Sequence, residues 1–280
     1  MKSEDRLIRY LGAENEYVLK VALSSSLVKK AAKIQDYSPT AIEYLGNLLT
    51  ASLLMEDSSK NERETLTLEL RGEEASSKVL AIADSRGNAK GCVCNPSLSS
   101  PIEKGFLVVS KDQGMKAPYR TTMPLVTGDV ENNLMYYYAG SEQLPTFFSL
   151  GVSLDEENHV EYAYGYMVQA LPFARKEIQQ KIVSNLESVP KKEEILSKRM
   201  SPEQIVSSLL RGLSQIETEE KPIRFHCSCS KKKGLEILTR AGKEEISSLM
   251  EKGEPIEVVC GSCGRKYVYQ PEEAARLLKD

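Results

Sequence analysis

Four cysteines near the C-terminus form two close pairs, an arrangement typical of a metal site. Cys227 and Cys229 are one residue apart in "RFHCSCSKKKG", and Cys260 and Cys263 are two residues apart in "VVCGSCGRKY". Thiolates are soft ligands that suit zinc, and two such pairs can supply all four ligands of a closed tetrahedral site. The sequence therefore predicts one zinc ion held by these four cysteines. The alternative is four buried structural thiols without a metal.

The neighbours of the two pairs favour the metal site. Gly261 and Gly264 flank Cys263, and glycine permits the tight turn of a zinc knuckle and lets backbone N–H groups approach the sulfurs. His226 precedes the first pair, but four cysteines already fill a tetrahedral site, so we expect a packing or hydrogen-bonding neighbour and not a ligand. Five cations close to the pairs would favour the thiolate form: Lys231, Lys232, Lys233, Arg265 and Lys266.

The one-residue spacing of Cys227 and Cys229 also indicates redox chemistry. A disulfide across so short a loop is strained, and strained disulfides are the labile, regulatory ones. Zinc keeps its sulfur ligands as thiolates, which is the form that oxidants attack. Oxidation would expel the metal and unfold a small domain that depends on it. On this reasoning the site can be structural or a redox switch.

The rest of the chain offers little catalytic chemistry. Cys92 and Cys94 repeat the one-residue spacing in "KGCVCNP" without a second pair nearby. We expect them to face one side of a strand as small buried hydrophobic residues, with a redox role as the alternative. The two histidines, His159 and His226, leave few candidates for general acid–base catalysis, so we expect no enzyme. A thiol–disulfide oxidoreductase would carry its C-x-x-C at a helix start in a βαβ context, which the sequence lacks.

The composition is that of an ordinary globular protein. The chain has 280 residues, of which 41% are hydrophobic and 28% charged, and its net charge of −3 gives no general attraction to nucleic acid or anionic membranes. Residues 221–280 are slightly basic, so a zinc ribbon that binds nucleic acid is an alternative, although a sustained basic patch with interleaved aromatic residues is lacking. The first residues do not resemble a signal peptide and no apolar run could span a membrane. We therefore expect a cytoplasmic protein in a compartment that keeps thiols reduced.

The pattern of residues 1–173 predicts an α+β domain. Alternating residues predict strands in "YVLKVA", "TLTLEL", "GFLVVS" and on both sides of the turn in "KVLAIADSRGNAKGCVC", and an antiparallel pair in "FFSLGVSL" and "VEYAYGYMVQA". Ser38 as N-cap and Pro39 at the first position begin a core helix, and "DVENNLMYYYAGSEQLP" predicts a short helix that ends near Gly140. One face of the last strand is expected to pack through five residues: Val160, Tyr162, Tyr164, Tyr166 and Val168.

From residue 174 to about residue 219 the chain is charged and helical. Ser201 and Gln204 form a capping-box pattern, and Ile205, Leu209 and Leu213 form a narrow apolar stripe. Such helices lack a core of their own, so we expect them to dock on a neighbour. Residues 221–280, with a helix expected in "PEEAARLL", are too few for a secure core without a metal. The predicted organisation is an N-terminal domain (1–173), a helical linker (174–220) and a zinc-binding domain (221–280).

With these motifs the whole chain resembles the redox-regulated thirty-three-kilodalton chaperonin family, heat shock protein 33. "RFHCSCS" with "VVCGSCGRKY" is similar to that family's C-x-C…C-x-x-C zinc motif. "ADSRGNAKG" followed by "NP", then "YYYAGSEQLPTFFSLGV" and "GYMVQALP", are similar to its N-terminal landmarks and follow the same order. The family commonly has an aromatic residue near the position of Cys92, so "CVC" at 92–94 departs from the pattern.

The resemblance implies a bacterial, cytoplasmic holdase that needs no ATP and is inactive while four thiolates hold one zinc ion. On oxidative stress, disulfides would form within each pair, Cys227–Cys229 and Cys260–Cys263, and zinc would leave. The zinc domain and the linker would then unfold, and the protein would form a homodimer. The implied partners are unfolding client proteins, bound through exposed apolar surface.

Overall fold

The structure is a computed structural model that describes residues 5–12, 14–56, 64–112, 114, 117–234, 236 and 255–270. The chain divides into two compact units, Met1–His226 and Cys227–Asp280. Helices and strands are mixed along the described residues, which confirms the predicted α+β class. Within the described ranges, no helix combines the length and the apolar composition needed to cross a membrane.

The first sheet of the first unit is a five-stranded antiparallel sheet. Its strands are β1 (Arg6–Gly12), β2 (Tyr17–Leu23), β8 (Thr146–Leu154), β9 (Val160–Ala170) and β10 (Gln215–Pro222), in the order β10-β1-β2-β9-β8. The strand predicted in "YVLKVA" and the antiparallel pair β8–β9 are confirmed. Strand β9 pairs with β2 and β8 along its two edges, its side chains pack in cores on both faces of the sheet, and nearly all of its residues are buried.

The second sheet has six strands. They are β3 (Thr65–Gly72), β4 (Lys78–Asp84), β5 (Asn88–Val93), β6 (Gly105–Asp112), β7 (Tyr119–Pro124) and β11 (Arg224–Phe225). Their order in the sheet is β11-β5-β4-β3-β6-β7, and all neighbours are antiparallel except β11, which runs parallel to β5. The turn between β4 and β5 is held by Asp84, whose carboxylate accepts the backbone N–H groups of Arg86 and Asn88, both at 3.0 Å.

The predicted core helix is α2 (Pro39–Met55), and the main core forms around it. Ser38 caps the helix: its Oγ accepts the Ala41 N–H at 3.2 Å, and Pro39 occupies the first helical position. The core combines α2 and α1 (Ser25–Ala32) with the facing sides of both sheets, and Val130, Leu134 and Tyr137 of a third helix join it. Because it receives apolar residues from two sheets and three helices, the first unit has a full core that does not depend on a metal.

The second predicted helix is α3 (Val130–Tyr137), which continues as a π-helical turn over Tyr138–Glu142. Asp129 accepts the Asn132 N–H at 2.7 Å and caps its start. The turn ends at Gln143, which has a positive φ of 55°. The expectation that this helix ends near residue 140 is therefore close to the observed end.

The expectation that five residues of β9 share one face is wrong for Val160. Tyr162, Tyr164, Tyr166 and Val168 pack in a second core on the outer side of the first sheet, whereas Val160 packs in the main core on the other side. The pairing with β8 shifts at this point, because Leu154 pairs with Val160 and Ser153 pairs with Tyr162. This bulge adds one residue to β9 and reverses the alternation of its side chains.

Three helices cover the outer side of the first sheet: α4 (Lys176–Ser188), α5 (Lys192–Lys198) and α6 (Pro202–Leu209), here called the helical segment. The capping box of α6 is confirmed, with Ser201 Oγ and Gln204 Oε1 each accepting the other residue's backbone N–H. The expected docking is also confirmed, since the apolar residues of the segment join the tyrosines of β1, β2 and β9 in the second core. These residues include Ile182, Ile195, Ile205, Val206 and Leu209.

The prediction of helix up to about residue 219 is wrong at its end, because Gln215–Pro222 forms strand β10. Its charged sequence, "QIETEEKP", has low strand propensity, but β1 offers a free edge whose backbone groups pair with it. Residues 221–226 lie with the first unit, and the second unit begins at Cys227. The three-part division by role stays a prediction.

The described part of the second unit is built on a small hairpin. Strands β12 (Ile256–Val259) and β13 (Lys266–Tyr269) pair antiparallel, and residues 231–234 are helical. Five of its described residues are buried, namely Gly234, Ile256, Cys263, Gly264 and Tyr269. The helix expected in "PEEAARLL" lies outside the described residues.

Candidate metal centre

The β12–β13 hairpin positions the second cysteine pair. Cys260 follows β12, and its N–H donates to the Arg265 carbonyl at 2.8 Å, so the strand pairing continues into the turn. The Cys260 carbonyl then accepts the N–H groups of Cys263 at 3.3 Å and Gly264 at 2.8 Å. These bonds fold the chain tightly enough to turn both sulfurs to the same side. The pair therefore sits in a knuckle-like turn, as predicted.

The two glycines of the turn differ in their roles. Gly264 has a φ of +73°, the left-handed region that side chains disfavour. Gly261 has no positive φ, and a Cβ built there would meet no described atom within 4 Å. The expectation that glycine is needed for the turn is thus confirmed at Gly264, whereas no structural need for glycine is visible at Gly261.

The first pair lies on a segment without regular secondary structure. Cys227 and Cys229 precede a helical turn in which Ser230 caps the chain, its Oγ accepting the Lys233 N–H at 3.2 Å. Irregular backbone lets sulfurs at positions i and i+2 bend toward a common point, which a regular strand does not. This is the local bend that the one-residue spacing requires.

The two pairs come together as one cluster of four thiols. Cys227 Sγ lies 3.9 Å from Cys260 Sγ, Cys229 Sγ lies 3.5 Å from Cys263 Sγ, and all four sulfurs lie within 4.8 Å of one another. Zinc–sulfur bonds of about 2.3 Å in a tetrahedron place the sulfurs about 3.8 Å apart. Number, chemistry and spacing of the donors therefore fit a zinc-type site. Among the described residues, this is the group of potential ligands that the structure brings together.

Two tyrosines of β13, which no sequence pattern had indicated as site residues, contact the segment that carries the first pair. The Tyr267 hydroxyl donates to Cys229 Sγ at 3.1 Å, and the Tyr269 hydroxyl donates to the Lys231 carbonyl at 2.5 Å. Tyr269 is 1% exposed and lies so close to Gly234 that a Cβ there would be 2.1 Å from its hydroxyl oxygen. The alternation in "KYVY" is the sequence feature that could have indicated these tyrosines, because it places both rings on one face of a strand that follows the second pair.

Three of the nearby lysines contact groups other than the cysteine sulfurs. Lys231 Nζ lies 5.3 Å from the Tyr269 ring centroid, Lys233 Nζ donates to Ser228 Oγ at 3.3 Å, and Lys266 Nζ pairs with Glu257 at 3.1 Å. Arg265 acts on the cluster through Tyr267: the hydrogen bond with this phenol, together with the charge of Cys229, raises the pKa of the guanidinium. Support for the thiolates is therefore clearest for Arg265.

The thiols of the cluster differ in electrostatic environment. Burial raises the pKa of Cys227 and, more strongly, of the fully buried Cys263. Burial also acts upward on Cys229, but hydrogen bonds from Tyr267 and from the other thiols outweigh it, so the pKa of Cys229 is lowered. The bond to Cys229 and burial raise the pKa of Tyr267 to about 12, so its hydroxyl stays a donor. Thiolates this close repel one another, which a bound cation would offset.

The other candidates lie apart from the cluster. His226 is exposed, its backbone N–H donates to the Ala89 carbonyl at 2.9 Å, and its side chain is not part of the group of potential ligands. His159 is exposed in a turn, 3.5 Å from carboxylates of Asp155 and Glu157. Neither arrangement resembles a catalytic site.

The second C-x-C does not form a second thiol site. Cys92 is buried on β5, as expected, but Cys94 follows the strand and is exposed. The expectation that both are buried on one side is therefore wrong for Cys94. The reason is that β5 ends at Val93, after which the Cys94 N–H bonds to the Lys78 carbonyl and its side chain faces solvent.

Comparison with known proteins places this architecture in one family. The family model described as "Hsp33 protein" matches residues 5–270. The 33 kDa chaperonin of Clostridioides difficile is 32% identical over 99% of both chains, and that of Caldanaerobacter subterraneus subsp. tengcongensis is 30% identical over 99% of this chain and 98% of its own. The crystal structure of the 33 kDa chaperonin from Thermotoga maritima superposes with a TM-score of 0.87 at 27% identity, covering 99% and 98% of the two chains. The chain belongs to the Hsp33 family, whose members are named as chaperonins and not as enzymes.

Proposed function

We propose that this protein is a redox-regulated, ATP-independent chaperone that holds unfolding client proteins and prevents their aggregation. In the reduced state Cys227, Cys229, Cys260 and Cys263 hold one zinc ion and the chaperone is inactive. Oxidation joins the cysteines within each pair, releases the metal, unfolds the helical segment and leads to an active homodimer. We place this activity in the cytoplasm. The observation that carries the proposal is the cluster of four sulfurs within 4.8 Å.

The metal site is supported by what the chain itself provides. When bound, zinc would offset the charge of four thiolates and crosslink the first pair to the hairpin. Five buried residues in the described part of the second unit are a small core, so such a crosslink would contribute much of its stability. The described residues of this unit thus favour a fold that depends on its metal.

The proposed redox step balances with a peroxide as the oxidant. Two thiolates of one pair give up two electrons and form one S–S bond, and hydrogen peroxide takes these electrons and two protons to become two water molecules. Two pairs consume two peroxide molecules. A disulfide sulfur carries no charge, so the oxidised pairs no longer favour a bound cation.

The pairing within each motif is supported by chain proximity. The shortest sulfur distances of the folded cluster join one pair to the other, 3.9 Å and 3.5 Å. Once the hairpin opens, closing a loop of one or two residues costs less chain entropy than joining segments more than 30 residues apart. We therefore propose Cys227–Cys229 and Cys260–Cys263 as the oxidised pairs.

The helical segment is a suitable element for regulated exposure. It buries Ile182, Ile195 and Ile205 against the tyrosine face of the first sheet, and it covers Tyr162 and Tyr164. Strand β10 follows this segment along the chain, and only four residues separate its end from Cys227. We propose that unfolding of the second unit destabilises this docking, and that the apolar surfaces then exposed bind clients.

The test is metal content, free-thiol count and suppression of aggregation, measured without ATP before and after peroxide with mild heat. We expect one zinc and weak suppression in the reduced protein, and loss of zinc, loss of four thiols and strong suppression after oxidation. Cys94→Ser is the matched control, because this exposed thiol lies outside the cluster and its variant should respond like the wild type. Zinc retained in full with unchanged suppression would contradict the proposal.

Tryptic mapping tests the pairing. Cleavage after Arg224, Lys231, Lys252 and Arg265 leaves each cysteine pair within one peptide, residues 225–231 and 253–265. The proposed disulfides lower the mass of each peptide by two hydrogens and leave the two peptides separate. Covalent joining of the two peptides would show the opposite pairing.

A further inference from the structure

The Tyr267 hydroxyl is a hydrogen-bond donor to one of the four candidate metal ligands. It donates a hydrogen bond to Cys229 Sγ at 3.1 Å, across 38 residues of sequence. The donor is carried by β13, the strand that leaves the second cysteine pair, and the acceptor belongs to the first pair. The bond therefore joins the two halves of the cluster through a protein group.

Arg265 places a positive charge next to this donor. Its backbone carbonyl accepts the Cys260 N–H at 2.8 Å, which fixes its backbone in the turn, and its guanidinium is close enough to the Tyr267 phenol to interact with it electrostatically. A cation beside the phenol oxygen favours the orientation in which the phenol proton points away from the cation and toward the sulfur. The hydrogen bond from Tyr267 to Cys229 is the contact that ends on a candidate metal ligand.

The hydrogen bond from Tyr267 orients the Cys229 sulfur, and the position of Cys229 explains why this matters. Cys229 is the second residue of a C-x-C, and two sulfurs at this spacing reach one ion only if the backbone bends locally. A donor that holds the sulfur limits the rotation of its side chain before the metal binds. Hydrogen bonds that orient metal ligands commonly change metal affinity by about tenfold to a hundredfold.

We propose that Tyr267 is a positioning residue that orients the thiolate of Cys229 for the metal and thereby slows the release of the ion. The inference rests on the proposed zinc site and adds a residue outside the four cysteines. Strand β13 then both pairs with β12 and carries the side chain that orients Cys229. Tyr267 touches the ligand sulfur and not the metal, so its contribution is to geometry and electron density at Cys229.

Tyr269 provides a matched control on the same strand face. Its hydroxyl also donates one hydrogen bond to the first pair's segment, but the acceptor is the Lys231 carbonyl and not a sulfur. Tyr267→Phe and Tyr269→Phe each remove one hydroxyl and keep the ring. A general loosening of the hairpin would appear in both variants, whereas an effect on the thiolate would appear in Tyr267→Phe alone.

The experiment uses the reduced full-length protein loaded with Co²⁺ or Zn²⁺. The energy of the sulfur-to-cobalt charge-transfer band reports electron density on the thiolates, and competition with a chromophoric chelator reports zinc affinity and release. We expect Tyr267→Phe to move the band to lower energy and to weaken zinc binding about tenfold to a hundredfold. Tyr269→Phe should keep the wild-type band.

Arg265→Gln changes an exposed side chain, and its charge-transfer band provides a second measurement if Tyr267→Phe folds poorly. It removes the positive charge next to the phenol, and we expect a smaller shift of the band in the same direction. A wild-type protein that does not bind metal through four thiolates would overturn the proposed function. If the wild type does bind it, wild-type band energy and affinity in both variants would overturn the role of Tyr267 alone.

Discussion

Arg175 holds the carboxylate of Glu16 with three donors, just before the start of α4. Its backbone N–H and Nε donate to Glu16 Oε1 at 2.9 Å and 2.7 Å, and its Nη2 donates to Oε2 at 2.7 Å. Arg175 is the N-cap residue of α4, and Glu16 precedes β2. The ion pair thus ties the N-cap of the helical segment to the first sheet.

Glu16→Gln should destabilise this junction in a pH-dependent manner. The hydrogen bonds and charge of Arg175 lower the pKa of Glu16 from 4.5 to about 2. Because the folded-state pKa is depressed, the stabilisation is present above pH 4.5 and is lost as the pH falls toward 2. We expect the variant to melt at a lower temperature than the wild type at pH 6, and this difference to shrink toward pH 2.

The control is Glu156→Gln, which removes an exposed carboxylate in the β8–β9 turn. Its melting temperature should stay close to that of the wild type across the range. A difference between Glu16→Gln and the wild type that does not change between pH 6 and pH 2 would argue against the ion pair as its cause.

Asn185→Ala should loosen α6 without touching the metal site. Asn185 is 3% exposed, and its Nδ2 donates to the carbonyls of Leu209 at 2.8 Å and Arg211 at 3.0 Å. The variant leaves these carbonyls without their donor, at a cost of about 1–3 kcal/mol in the free energy of local unfolding. Hydrogen exchange of the α6 amides should become roughly tenfold to a hundredfold faster.

Ser207→Ala is the matched change in the same region. Ser207 is exposed, and its hydroxyl bonds within its own helix to the Gln204 carbonyl at 2.9 Å, so its removal should leave exchange nearly unchanged. Equal rates in both variants would show that Asn185 does not hold the segment.

The sequence predicted those features whose causes are local. The Ser38 cap and the capping box at Ser201 depend on residues a few positions apart, and both are found where the sequence predicts them. The meeting of the two cysteine pairs is not local, and its prediction depends on the chemistry of four soft ligands and not on spacing alone. Strand β10 was missed because its pairing with β1 joins residues some 200 positions apart and outweighs a charged sequence. The predicted face of Val160 is wrong because one extra residue in β9 reverses the alternation of side chains between the two faces, and the amino-acid composition of the strand does not reveal this bulge. The bond from Tyr267 to Cys229 depends on how two distant segments meet, which spacing alone does not give.

Removal of the metal should affect the two units differently. The first unit has its own core around α2, whereas the described part of the second unit has five buried residues. We expect a chelator, added under reducing conditions, to abolish most protection from hydrogen exchange in β12 and β13. Protection in β4 should change little, which serves as the internal control. Unchanged protection in β12 and β13 after complete metal removal would show that the hairpin is stable alone.

Gly264→Ala should weaken metal binding, and Gly261→Ala should not. Gly264 has a φ of +73°, where a Cβ costs about 1–2 kcal/mol. Its N–H also bonds to the Cys260 carbonyl at 2.8 Å, so the turn cannot relax without moving a sulfur. We expect zinc affinity to fall roughly fivefold to thirtyfold. Gly261 lies in the same turn, and an added Cβ meets no described atom within 4 Å. Chelator competition compares the two variants, and equal affinities would show that the left-handed residue does not set the geometry of the knuckle.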